Sequence, residues 1–162
     1  MKLPLLVSLA AALAAAPAAA QTQDVGLTMD GGVLTVIYGQ DCGPVTCTPM
    51  FGSVVGAGET RVLTQYSAPQ TLYAIAFGLP GACLAVPGFD NRLLLQDIIL
   101  LDVGLTSAPP FVPLPCQQGV ASFALTLPDT TPPGIVYRLQ SIGVSVQSGA
   151  FAFGPAIEAT TV

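Results

Sequence analysis

Proline and glycine recur along the whole chain, 15 and 17 of them in 162 residues, and break it into short β-branched and aromatic runs. Neither residue suits a helix interior, and their spacing leaves no room for long regular segments. Many brief apolar runs with turn signals every 8 to 12 residues or so are the pattern of an all-β chain. Seven strands are expected: GVLTVIYG (32–39), TRVLTQY (60–66), QTLYAIAFG (70–78), RLLLQDIILLDVG (92–104), GVASFALTLP (119–128), GIVYRLQSIGVSV (134–146) and PAIEATTV (155–162). Seven to eight strands in one domain fit a two-sheet sandwich, Greek-key and Ig-like or jelly-roll. There is no tryptophan, which excludes the antibody-type core of a disulfide packed on a Trp.

Four segments carry finer expectations. In 119–128, Ala121, Phe123, Leu125 and Leu127 alternate with Ser122, Ala124 and Thr126, so one face is buried. Residues 92–104 read as a long or bulged strand, with a leucine-striped helix as the alternative. In 134–146 the apolar series runs Ile135, Tyr137, Leu139 and then Ile142, Val144, Val146, which predicts a bulge or sheet switch near Ser141. The four prolines of 107–115 make that stretch an edge or a crossover loop.

Residues 1–20 read as a targeting segment. Lys2 precedes an apolar, alanine-rich run, and Ala18 and Ala20 occupy the −3 and −1 positions of a cleavage site before Gln21. Residues 21–162 then form a single exported domain of 162 − 20 = 142 residues, extracellular, periplasmic or on the cell surface. That mature chain holds three arginines, no lysine and nine carboxylates, 3 − 9 = −6, which lacks the footprint of a nucleic-acid or anionic-membrane binder. So few charges leave a weakly solvated surface suited to assembly or attachment.

The chain has no histidine, so Ser-His-Asp and Cys-His catalysis and histidine-bearing zinc sites are impossible. Its four cysteines, Cys42, Cys47, Cys83 and Cys116, lack the paired knuckles of a zinc site, and an exported chain with an even count points to disulfides. Of the three connectivities, 42–47 across the Gly43-Pro44 turn and 83–116 across the proline-rich crossover are favoured.

The segments CLAVPGFDNRLLL (83–95), ASFALTLP (121–128) and GIVYRLQ (134–140) together make residues 58–162 resemble a family of poorly characterised secreted bacterial β-sandwich domains of planctomycete type. These motifs are turn and core positions. The resemblance therefore implies a fold and a secreted location, and supplies no catalytic residue.

Asp90, Asp97 and Asp102 lie close together in sequence but without calcium-loop spacing, so turn capping and solvated strand positions are the favoured reading. Tyr66, Tyr73 and Phe89, with Asp90 and Asn91, are the candidate ligand face, set against the more ordinary role of strand aromatics as core. No cofactor or metal is expected. The expected function is a non-enzymatic structural or adhesive domain that binds a surface component or itself. A carbohydrate-binding module is the alternative, and a carboxylate-dependent hydrolase comes third.

Overall fold

A computed structural model describes residues 21–30, 37–40, 43–108 and 119–162. Ten strands occupy them: β1 (Gly26–Asp30), β2 (Ile37–Gln40), β3 (Met50–Val55), β4 (Thr60–Ser67), β5 (Leu72–Leu84), β6 (Phe89–Asp90), β7 (Leu93–Leu105), β8 (Gly119–Thr126), β9 (Val136–Val144) and β10 (Phe151–Thr161). They form two packed sheets. One runs β2-β1-β4-β8, and the other runs β3-β10-β9-β5-β7 with β6 also on β10. Pairing is antiparallel except where β3 and β6 lie parallel to β10, one after the other along its length. The all-β sandwich read from the sequence is the fold observed.

The core lies between the sheets. Leu27 and Met29 of β1 and Leu63 of β4 meet Ile75 of β5, Tyr137 and Leu139 of β9 and Ile157 of β10, all fully buried. Phe77 stacks on Tyr137 with ring centroids 5.1 Å apart. On β8, Ala121, Phe123 and Leu125 pack against this core while Ser122, Ala124 and Thr126 are exposed, as the alternation required. Strands β1, β3 and β6 were not anticipated. They are short, and β6 is two residues long with no period to read.

Residues 93–105 are a strand, so the helical alternative falls. β7 pairs with β5 through three register shifts, and Asp97 takes a positive φ of 52° at one irregularity. Bulges bend and twist a ribbon. The far end of the β5–β7 ribbon accordingly curls onto β9, where Arg138 Nη1 donates to Gly81 O and Leu94 O, each at 3.1 Å.

The expected phase slip at Ser141 is corrected. β9 pairs with β5 without a shift, and Tyr137, Leu139, Ser141 and Gly143 all stay buried on the inner face. The bulge lies opposite, on β10 between Phe153 and Ala156. Small residues let the sheets approach closely: a Cβ on Gly143 would stand 2.6 Å from Gln65 Nε2. Ser141 Oγ is satisfied by donating to Gly26 O across the sandwich at 3.1 Å. Apolar Ile142 and Val144 therefore point outward.

The disulfide pairing is also corrected. Cys47 bonds to Cys83 with Cα atoms 5.3 Å apart, which excludes both 42–47 and 83–116. The Gly-Pro turn makes the 42–47 pairing locally attractive. In the fold, however, the segment before β3 passes the end of β5, and proximity in space decides. Cys42, Cys116, residues 1–20, expected as a targeting segment ending at Ala20, and most of the proline-rich stretch lie outside the described residues.

Candidate functional site

The two outer faces differ in chemistry because the strands of the larger sheet are apolar on both sides. On β5, inward Tyr73 and Ile75 alternate with outward Leu72, Ala74 and Ala76. Register carries this outward set across the sheet. Val103, Ala74, Ile142 and Phe153 form one row, and Leu100, Ala76 and Gln140 another. Leu105 stands beside Leu72, and Val144 beside Phe151 and then Phe89. None of these side chains is charged. Leu105 is 66% exposed, Leu100 and Val103 57% and Leu72 54%, so the face is open over β7 and the start of β5, while Ala76, Gln140 and Phe153 are buried at its other end. The largest apolar patch of a monomeric protein is often a functional contact surface.

At one end the face deepens into a recess of about 170 Å³. Phe89, Phe153, Ile98 and Leu95 stand around it, with Ala76 and Ile142 from the sheet. Phe89 stacks on Phe153 at 5.0 Å and tilts against Phe151 at 6.0 Å, which makes one wall aromatic. Gln140 is the single polar lining residue, and its amide is fully committed. Oε1 accepts from Leu94 N at 3.0 Å, and Nε2 donates to Arg92 O at 2.8 Å and Gly154 O at 2.9 Å. Beyond the recess the apolar face ends at the Arg138–Glu158 ion pair, 2.9 Å.

The smaller sheet shows the opposite chemistry. Outward residues of β4 are Thr60, Val62, Thr64 and Tyr66, and in register beside them stand Thr126, Ala124 and Ser122 of β8 and Thr28 of β1. Thr60 and Thr126 hydroxyls lie 2.8 Å apart. The result is a face of hydroxyls with Val62 and Ala124 among them and Tyr66 at one end, Thr28 being buried.

The residues proposed from sequence as a ligand face are not brought together. Tyr66 is half-buried on the outer face of the smaller sheet, while Tyr73 lies between the sheets. Tyr73 Oη donates to Asp102 Oδ2 at 2.5 Å, and burial first, then this hydrogen bond and the Asp102 charge, push the phenol up to about 12. Phe89 belongs to the apolar recess. Asp90 and Asn91 are buried joints: Ser148 Oγ donates to Asp90 at 2.5 Å, and Asn91, at φ 64°, holds Thr22 N and Phe153 O. Asp24 similarly accepts from Ser145 Oγ at 2.7 Å and Gln147 N at 2.9 Å, fastening the lead-in to β1 onto the β9–β10 turn. Asp90, Asp97 and Asp102 thus have separate surroundings, and the described residues hold no group of three or more His, Cys, Asp or Glu placed for a metal ion. Sequence reading missed the apolar face. Its signal was present in the apolar runs 72–77 of β5 and 98–101 of β7, since consecutive apolar residues mark a strand apolar on both sides.

No protein-family model matches the chain, and no curated protein matches it in sequence. Among solved structures, a chitin binding domain from Burkholderia pseudomallei aligns at 15% identity over 68% of this chain and 56% of its own, with a TM-score of 0.38. The cellulose active LPMO CelS2, in complex with copper, aligns at 18% identity over 67% of this chain and 52% of its own, with a TM-score of 0.41. This chain spans about half the length of either structure, and likeness at this level bears on neither site nor ligand.

Proposed function

We propose that this chain is a non-catalytic exported module with a structural or adhesive role, and that the outer face of the larger sheet is its contact surface. One observation carries the reading: Leu72, Leu100, Val103 and Leu105, with half-buried Ala74 and Ile142 in register beside Val103, leave an uncharged apolar face exposed in an acidic, sparsely charged chain. Burying such a face against a partner gains roughly 25 cal/mol per Å² of apolar area. The Cys47–Cys83 bond accords with export, since disulfides persist in oxidising compartments. The test is adsorption of the purified protein to cell-envelope fractions, compared with a Leu100→Asp/Val103→Asp variant. Both positions are exposed, so the variant keeps its fold, and a drop in adsorption of tenfold or more is expected. Equal adsorption by both proteins refutes the assignment of this face.

A carbohydrate-binding role is the second reading, favoured by the hydroxyls of Thr64, Ser122, Thr60 and Thr126 on the face that carries Tyr66. Hydroxyls supply hydrogen bonds to a sugar and the tyrosine ring a stacking surface. In this case Tyr66→Ala weakens retention on insoluble polysaccharide while Leu100→Asp/Val103→Asp leaves it unchanged.

A further inference from the structure

The cleavage point expected from the sequence and the start of the packed fold coincide, and the residue at that boundary has chemistry of its own. Thr22 is 3% exposed and Asn91 1%. Thr22 N donates to Asn91 Oδ1 at 3.0 Å, and Asn91 Nδ2 donates to Thr22 Oγ1 at 3.3 Å and to Phe153 O at 2.8 Å. Gln23 N donates to Gln147 Oε1 at 3.3 Å, and Asp24 accepts from Ser145 Oγ and Gln147 N. Gln21 is exposed and takes part in none of these bonds. Cleavage before Gln21, as Ala18 and Ala20 predict, leaves one free residue ahead of a buried, paired amide. Cleavage one residue later puts a charged ammonium at the buried Thr22 position, which burial opposes.

A glutamine at a free N-terminus holds a nucleophile and an electrophile on one residue. The neutral α-amine attacks the side-chain Cδ, and the new N–Cδ bond closes a five-membered lactam. The Cδ–Nε2 bond breaks, and ammonia leaves with the proton that the amine gives up. The step is redox-neutral and takes no co-reactant. It is intramolecular, and an α-amine titrates near about pH 8, so a fraction of it is neutral at physiological pH. At Gln21 the side chain is free to turn onto the amine, while the bonds of Thr22 hold the next peptide in place. We propose that Gln21 is a modification site, closing to pyroglutamate once the targeting segment is removed. The lactam removes the terminal positive charge and the primary amine on which aminopeptidases act. It thereby guards the lead-in to β1, because loss of Thr22 leaves Asn91 Oδ1 buried without its donor. The assignment rests on cleavage between Ala20 and Gln21, and it is independent of which outer face makes contact.

The test is the intact mass and stepwise N-terminal degradation of the exported protein, taken at harvest in the cold and again after a day at room temperature. At harvest the wild type should be one ammonia lighter than residues 21–162 require, and it should resist N-terminal degradation until treated with pyroglutamyl aminopeptidase. Gln21→Asn, whose shorter side chain cannot close the five-membered ring, should keep its full mass and degrade from its first residue at once. A broad-specificity aminopeptidase should trim Gln21→Asn and leave the wild type at full length. Both proteins keep the bonds of Thr22, so equal Tm values before trimming show that the difference comes from the cap. An open Gln21 at harvest, a ring that accumulates only on storage, a first residue other than Gln21, or equal trimming of the two proteins overturns the assignment.

Discussion

Two glutamines of this fold are equally buried and should respond in opposite directions to the same substitution. Gln140 and Gln65 are both 0% exposed, one on β9 and one on β4. Gln140 makes three hydrogen bonds, to Leu94 N, Arg92 O and Gly154 O, while among the described residues neither Gln65 Oε1 nor Gln65 Nε2 has a partner. Gln140→Leu strands a buried amide N–H and the Gly154 carbonyl, with Arg92 O partly open to water. Each buried orphan costs about 1–3 kcal/mol, and leucine recovers part of this by removing the buried amide, so a net loss of about 2–4 kcal/mol is expected. Gln65→Leu removes two unpartnered polar atoms and orphans nothing. It should be neutral or stabilising by up to about 2 kcal/mol. For a domain of ordinary marginal stability the first change is a large fraction of the whole. Urea unfolding at neutral pH reads both as shifts in midpoint at constant slope. Losses of equal size in the two variants would refute the reasoning, because they would show that Gln65 holds partners of its own.

Other perturbations test separate parts of the fold. Replacing both Cys47 and Cys83 by serine, which opens a cross-link between residues 36 apart in sequence, should lower stability by about 3–4 kcal/mol on the chain-entropy estimate, read by the same unfolding assay. Gly143→Ala pushes a methyl to within 2.6 Å of Gln65 and Ser67 between the sheets and should cost about 1–3 kcal/mol, visible as a lowered Tm. Alkaline pH reports on the two core tyrosines. Burial raises Tyr73, helped by Asp102, and it raises Tyr137, where nearby Arg61 works against the rise and Glu59 with it; both phenols are pushed up to about 12. With folded values above the unfolded value near 10, their contribution is complete below about pH 10 and is lost as pH climbs from 10 to 12. Tyr73→Phe/Tyr137→Phe should flatten the fall in stability across that window, and an unchanged fall would remove these rings as its cause.

The all-β class and most of the strands were legible because their causes are local. Proline and glycine stop regular structure wherever they stand, and the alternation through Ala121, Phe123 and Leu125 records one solvated face at each position. Where both faces of a strand are apolar, that record disappears. Ile142 and Val144 looked like a resumption of the inward series, although the inward positions are held by Ser141 and Gly143, which are small and hydrogen-bonded or close-packed against β1 and β4. Whether an apolar residue faces a core or an open face depends on what lies opposite it, and no run of neighbours in sequence encodes that. The same holds for Cys47, whose local turn offered Cys42 but whose partner is Cys83 on β5. It holds again for Phe89, Asp90 and Asn91, adjacent in the chain yet divided between an aromatic recess and two buried hydrogen-bonded joints. Composition and period suffice for the kind of element a segment forms, because backbone sterics and solvation act residue by residue. Pairing, facing and the recess over Gln140 arise only when strands distant in sequence are laid side by side, and there the register, not the local sequence, sets which groups meet.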